Sequence, residues 1–162
     1  MIVQAENSSH YAAVHTLHAE AFPSPAEANL VEQLRRDGDA ILSLVAIEQT
    51  HVIAHVMFSK MSAPFRALGL APVSVAPDRR RRGVAAALIH EGIAHAKATG
   101  WNGIFVLGNP AYYSRFGFRV DTAALFDSAY AGPHFMLLAL DGAVIAAHSG
   151  RVDYAPAFSA LG

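Results

Sequence analysis

A run of arginines followed by glycine separates a β-prone stretch from a long helical one, and this junction constrains the fold more than any other part of the chain. The β-prone segment 68–75 is terminated by Pro77. Residues 83–99 have apolar positions spaced for a helix, with Gly100 as its C-cap. Residues 104–107 have the short apolar pattern of a buried strand. A strand, a helix and a strand in this order predict a βαβ unit whose two strands are parallel.

The remaining elements are predicted from periodicity, caps and turn residues. A helix ending near Ala21 follows capping candidates at residues 7–9, and a second helix carries an apolar stripe. Residues 49–51 have the pattern of a hairpin turn. The predicted helices besides the long one are the segment ending near Ala21, 26–36 and a short one at 110–116; the predicted strands are 2–5, 41–48, 52–59, 118–120 and 135–140.

Composition limits the classes of protein that this chain can be. Its 162 residues predict a single domain over residues 1–162, and 53% hydrophobic with 15% charged residues excludes a disordered or fibrous chain. The absence of cysteine excludes disulfides, zinc–thiolate sites and cysteine nucleophiles. A net charge of -1 argues against nucleic acid or an anionic membrane as a partner. With no secretory signal and no apolar run long enough to span a bilayer, we expect a cytoplasmic protein.

The arginine run occupies the start of the predicted long helix. A charge run is usually a solvated turn, but cations at a helix N-terminus are unfavourable by roughly 0.3 to 1 kcal/mol each. The arrangement is favourable when an anion binds, because Gly83 and the small Ala85 let a ligand approach the free backbone N–H groups. These residues therefore predict a phosphate site. Neither the P-loop motif nor the dinucleotide fingerprint occurs in the chain, which argues against ordinary kinase, GTPase and dehydrogenase functions.

Two ordered motifs resemble those of the GNAT superfamily of N-acetyltransferases. The first is the acyl-CoA-binding pattern [QR]-x-x-G-x-[GA], which reads Arg80-Arg81-Arg82-Gly83-Val84-Ala85 here and follows a strand and Val75-Ala76-Pro77. The second is the family's tyrosine four residues before Gly-Phe, within Asn109-Pro110-Ala111-Tyr112-Tyr113-Ser114-Arg115-Phe116-Gly117-Phe118. The layout is similar to that of the bacterial YhbS-like subgroup. That subgroup also has a helix similar to residues 27–36 and a pattern Tyr-x-x-Ala-Phe, which occupies residues 154–158 here.

The resemblance implies the fold and the donor site. It implies an α/β (α+β) domain with a central mixed, mostly antiparallel sheet flanked by helices, and an acyl-CoA cleft between two splayed parallel strands. Backbone groups of Val73, Ser74 and Val75 would pair with the pantetheine arm. The amides of Arg81, Arg82, Gly83, Val84 and Ala85 would hold the pyrophosphate, Arg80 would add charge, and Asn109 and Tyr112 would also contact the cofactor.

The implied activity is transfer of acetyl from acetyl-CoA to a primary amine by direct attack on the thioester. Tyr113 is the predicted general acid for the leaving thiolate. A general base is not identified, because the central strand offers Ser74 and no carboxylate; Glu27 and His134 are candidates. No metal is predicted, since the pairs His15/His18 and His51/His55 lack a carboxylate motif.

Other functions stay open at this stage. The acceptor is either a small molecule or a protein or peptide amine. The oligomeric state is also undecided, with a homodimer as one alternative. A catalytically inactive acyl-CoA-binding sensor or partner-binding module is the alternative to an enzyme, supported by the missing carboxylate. A nucleic-acid-binding module would rest on the arginine run alone, and we expect neither nucleic acid nor membrane as a partner.

Overall fold

A computed structural model describes residues 1–161 and contains one large mixed sheet with helices around it. The strand order in that sheet is β1-β2-β3-β4-β5-β7, with β6 and β8 forming a separate parallel pair. The strands are β1 (Ile2–Ala5), β2 (Ala40–Glu48), β3 (His51–Lys60), β4 (Ala67–Val75), β5 (Gly103–Leu107), β6 (Phe126–Asp127), β7 (Phe135–Ala139) and β8 (Gly150–Arg151). The helices are α1 (Tyr11–Ala21), α2 (Ala26–Asp37), α3 (Val84–Ala98), α4 (Pro110–Tyr113), α5 (Val120–Ala123) and α6 (Gly142–Ala146), with short 3-10 turns at Ser8–His10, Pro77–Arg79, Ser114–Phe116 and Pro156–Leu161.

The first of two compact units contains residues 1–59 and 71–93 and the segment from Pro156. Here β1, β2 and β3 pair antiparallel, and α1 and α2 bury apolar stripes that include Val14, Leu30 and Leu34. Gly38 ends α2 at φ +74, a backbone conformation that glycine adopts without strain. Residues 53–59 of β3 are all buried.

The second unit contains residues 60–70 and 94–155. In it the first residues of β4 pair parallel with β5, in the register Ala67 with Gly103 and Gly69 with Phe105, and β7 pairs antiparallel with the other edge of β5. An aromatic core fills this unit, with Phe105 stacked on Phe135 at 5.2 Å between ring centroids. Other members of the core include Met61, Phe65, Phe126, Leu137, Ile145 and Val152.

Most predicted elements are present, and the expected parallel pairing of the strands around the long helix is confirmed. The prediction of a strand at residues 118–120 was wrong. Arg119 makes only an isolated bridge to Leu137, and the chain turns into α5 at Val120. Phe118 is buried there as a core residue, so the apolar, β-prone pattern at this position reflects burial and not strand pairing. β6, β8 and α6 were not predicted, because elements this short carry almost no periodic signal.

Candidate active site

The predicted phosphate site lies in the first unit, in the loop between β4 and α3. Arg81 has φ +64 and Gly83 has φ +77, so the backbone turns sharply just before the helix begins. The N–H of Ala87 donates to the carbonyl of Gly83 at 3.0 Å, which is the first hydrogen bond of the helix. The N–H groups before Ala87 therefore have no partner within the helix, as at every helix N-terminus.

The four arginines of this loop have different surroundings. Arg79 is tied down, because its guanidinium donates to Glu48 and to Asp78, each at 2.8 Å. These two carboxylates hold the pKa of Arg79 above its usual value. Arg80 donates from Nε to the carbonyl of Val75 at 3.2 Å, while Arg81 and Arg82 are exposed. The loop thus anchors its first arginine and leaves the later ones beside the helix N-terminus.

The start of α3 is accessible at Gly83. A Cβ atom added to Gly83 would meet nothing within 4 Å, so the backbone borders open space there. Free N–H groups, the helix dipole and neighbouring guanidinium groups are the donors that a phosphate needs. The predicted residues Arg80–Ala85 thus form the loop and first turn of α3, which are open at Gly83, and their contact with a pyrophosphate stays a prediction.

Ser74 lies near the end of β4, a strand that carries no carboxylate. Val73 and Val75 flank it on β4, and because strand side chains alternate, its hydroxyl points to the opposite face of the sheet from theirs. The residue is 7% exposed, and its Oγ lies 2.7 Å from Nδ1 of His18 on α1. A serine hydroxyl paired with an imidazole is a group that exchanges protons.

The second unit holds Tyr112 and Tyr113 at the end of α4. The Tyr113 ring packs edge-on against Phe118 at 5.8 Å and against Tyr112 at 5.1 Å between centroids. Burial among these rings and the neighbouring Tyr112 raise the pKa of Tyr113 to about 12, so its phenol stays protonated at neutral pH. Burial also raises the pKa of Tyr112, whose ring lies under the Arg115 guanidinium at 4.4 Å.

Asn109 and Gly108 hold this tyrosine pair in position. The Asn109 side chain accepts from the N–H of Ala111 at 3.0 Å and so caps α4; its contact with a cofactor stays a prediction. Gly108 lies directly under the Tyr113 ring, where a Cβ would stand 2.5 Å from Cε2. The glycine just before Asn-Pro is the sequence signal for this role.

The other two candidates for a general base are in less suitable surroundings. Glu27 is half-buried in the first turn of α2, and His134 is exposed in the loop before β7. His18 and His55, whose spacing from other histidines indicates at most a pair of metal ligands, are both completely buried in the first unit. Within residues 1–161 no group of three or more histidine or acidic side chains is placed to hold a metal ion. None of the helices over the same residues is long and apolar enough to cross a membrane.

Comparison with known proteins shows the family that the two motifs resemble. The model of the acetyltransferase (GNAT) family matches residues 11–118. The uncharacterized N-acetyltransferase YhbS of Escherichia coli K12 is 36% identical over 124 residues, which cover 74% of this chain and 74% of YhbS. The crystal structure of E. coli YhbS in complex with CoA matches 99% of this chain and 93% of its own, with a TM-score of 0.93 and 30% identity. A GNAT acetyltransferase from Brucella melitensis in complex with acetyl-CoA matches with a TM-score of 0.81 and 30% identity, over 97% of each chain.

Proposed function

Because the chain belongs to the GNAT family and is an acetyl-CoA-dependent acyltransferase, we propose that it acetylates a primary amine by direct attack on the thioester. The observation that carries the donor site is the open N-terminus of α3 at Gly83 beside exposed arginines. In this proposal the amides of residues 81–85 hold the pyrophosphate of CoA and Arg80 adds charge. The E. coli and Brucella relatives bind CoA and acetyl-CoA, respectively.

The proposed donor pose runs from this loop along β4. Backbone groups of Val73, Ser74 and Val75 pair with the pantetheine arm, which brings the thioester to a strand held within the sheet. The amine, once deprotonated, attacks the carbonyl carbon; the C–N bond forms and the C–S bond breaks. Backbone N–H groups on the strand stabilise the oxyanion that develops.

Tyr113 is the proposed general acid for the departing thiolate. Its phenol, with a pKa near 12, is a weaker acid than a thiol by roughly 3 to 4 pKa units on the reference value for thiols. Complete transfer of the phenol proton to the released thiolate is therefore unfavourable by roughly 5 kcal/mol. The proton moves as charge builds on sulfur, and Tyr113 accelerates the step without dominating it.

The first test of this proposal is a thermal-shift titration with acetyl-CoA, with free CoA and AMP as controls. Ligand at about 100 times Kd adds roughly 2.7 kcal/mol, which raises Tm by about 5 to 10 °C in a domain of this size. Primary amines are then screened for release of free thiol. Saturable binding without thiol release from any amine would leave the catalytically inactive CoA-binding module, and no shift at millimolar acetyl-CoA would refute both functions.

A further inference from the structure

A continuous row of hydrogen-bonded side chains crosses the first unit from β4 to the end of β1. Ser74 Oγ lies 2.7 Å from His18 Nδ1, and His18 Nε2 lies 2.7 Å from His55 Nδ1. His55 Nε2 lies 2.7 Å from Ser43 Oγ, which donates to Glu6 at 2.8 Å. Both imidazoles are completely buried.

The far end of this row fixes its polarity. Arg35 on α2 donates from both Nε and a terminal nitrogen to the carboxylate of Glu6, so this carboxylate only accepts hydrogen bonds. Ser43 has one hydroxyl proton, and it goes to Glu6. Ser43 Oγ must then accept the proton of His55 Nε2.

The donor and acceptor nitrogens of the His55 and His18 imidazoles follow from the same argument. Burial lowers the pKa of His18 to about 4, and burial with the neighbouring His18 lowers the pKa of His55, so both imidazoles are neutral. A neutral ring has one donor nitrogen, so His55 Nδ1 accepts from His18 Nε2, and His18 Nδ1 accepts from Ser74. Every proton in the row therefore points toward Glu6. Ser74 Oγ is left with its lone pairs facing away from His18.

We propose that Ser74, His18, His55, Ser43 and Glu6 form a proton relay that removes the proton of the attacking amine. The inference rests on the proposed function and supplies the general base that the central strand lacks. Ser74 is the member of the row that receives the amine proton in this proposal, because its Oγ has lone pairs facing away from His18 and because it lies on the strand proposed to bind pantetheine. The other members position and pass the proton without touching substrate.

The proton balance of the step is complete. As the amine nitrogen bonds to the thioester carbonyl carbon, its N–H proton passes to Ser74 Oγ. Each member of the row then hands its own proton to the next, and Glu6 Oε1 gains one. After the acetylated product leaves, Glu6 returns the proton and Ser74 releases it to water in the emptied site. The protein thereby recovers its resting tautomers.

The relay acts on an amine already bonded to carbon and not on a free ammonium ion. A lysine-type ammonium is a weaker acid than a carboxylic acid by about 6 pKa units on reference values, or roughly 8 kcal/mol. The acceptor must therefore arrive as the free amine. Formation of the C–N bond then acidifies its nitrogen enough for transfer. The charged and titratable groups around the two rings are Glu6, Arg35 on α2 and His15 on α1.

The proposal is tested at Ser43, because its hydroxyl is the link between His55 and Glu6: without it, His55 Nε2 lies 3.8 Å from the nearer Glu6 oxygen, which is beyond hydrogen-bond distance. For an amine found in the screen, we expect Ser43→Ala to lower kcat at least about tenfold with KM for acetyl-CoA unchanged. Ser43→Thr, which keeps the hydroxyl, should restore most of kcat. The loss in Ser43→Ala should shrink as pH rises, because hydroxide replaces the relay. His15→Gln is the matched control. It removes a histidine that lies on α1, as His18 does, but that bonds to Glu32 outside the row.

Two further measurements separate the relay from other roles of these residues. Nitrogen-detected NMR should find His18 and His55 protonated at Nε2 at neutral pH, and a proton on Nδ1 of either ring would overturn the proposal. Intact-protein mass spectrometry without amine should find no acetyl group on Ser74. An acetylated Ser74 would make this serine a nucleophile and also refute the relay.

The outcomes distinguish the relay from the proposed function. If the wild-type protein acetylates an amine and Ser43→Ala does so at the same kcat, the relay is refuted and the proposed function stands. If the wild-type protein binds acetyl-CoA and acetylates nothing, the proposed function fails, and the relay fails with it because there is no proton to remove. A drop in Tm without a drop in kcat for Ser43→Ala would identify the row as a structural network only.

Discussion

Gly108→Ala is expected to displace the proposed acid Tyr113 without altering its chemistry. The new Cβ would stand 2.5 Å from Tyr113 Cε2 and 3.0 Å from Cδ2. Carbon atoms pack at about 3.5 to 4.0 Å, so the ring must retreat by about 1 Å. Phe118 and Phe116 pack against the same ring, which limits the directions in which it can move.

The displacement should affect both catalysis and stability. A reacting group misplaced by about 1 Å costs on the order of a hundredfold in rate, so kcat should fall toward the value of Tyr113→Phe, with KM for acetyl-CoA nearly unchanged. Overpacking costs about 1 to 3 kcal/mol, which predicts a Tm lower by about 2 to 12 °C. Steady-state thiol release and thermal unfolding measure the two effects separately.

Gly142→Ala is the matched control for this substitution. Gly142 begins α6 in the same unit, and a Cβ there would meet nothing within 4 Å, so kcat and Tm should be maintained. In the Tyr113→Phe background, Gly108→Ala should add little to the loss of kcat, because the group it misplaces is already gone. The reasoning is refuted if Gly108→Ala retains kcat within about twofold while Tyr113→Phe loses it.

Three further predictions follow from other parts of the molecule. Gly83→Glu should abolish the thermal shift with acetyl-CoA, because its carboxylate would fill the anion's place. Gly38→Glu is the control, because Gly38 is also exposed, has a similar φ of +74 and has nothing within 4 Å of a Cβ; a shift retained in Gly83→Glu would exclude this loop as the phosphate site. Gly92→Ala should lower stability despite the better helix propensity of alanine, by about 1 to 2 kcal/mol in urea denaturation, because its Cβ would overlap the Phe58 ring. The free energy of unfolding should fall as pH drops from 6.5 toward 4, because the unfolded chain then protonates histidines that stay neutral when folded. A stability that is flat across that pH range would contradict the depressed pKa values of His18 and His55, and His15→Gln should keep the slope.

The elements predicted correctly are those whose signal is local. The stripe of Leu30, Val31 and Leu34 defined α2, and the arginine run with Gly83 defined the start of α3 to within one residue. The parallel pairing of β4 and β5 followed from the length of the helix between them. At residues 118–120 the same logic was wrong, because burial of Phe118 in an aromatic cluster gives the same apolar pattern as a strand.

The hydrogen-bonded row could not be predicted, because its contacts are distant in sequence. His18 meets a partner 56 residues away in Ser74 and another 37 residues away in His55. The spacing of His15 and His18 suggested a shared helix face, but His15 bonds to Glu32 while His18 turns into the core. Only the packing of α1 on the sheet separates the two histidines into different environments.

Burial alone does not explain why this row is polar. A leucine or methionine at position 18 or 55 would remove the cost of desolvating an imidazole, and apolar replacements of buried polar groups are often neutral or stabilising. Each side chain in the row has hydrogen-bond partners, so the fold can bury these polar groups without a large cost. An apolar core would be at least as stable. What an apolar core cannot supply is a path along which a single proton moves between β4 and the Glu6–Arg35 pair. A His18→Met protein that is stable and still binds acetyl-CoA but has lost kcat would favour proton transfer over a structural role for the row. Such a protein would have kept or gained stability, and only the path for the proton would be missing.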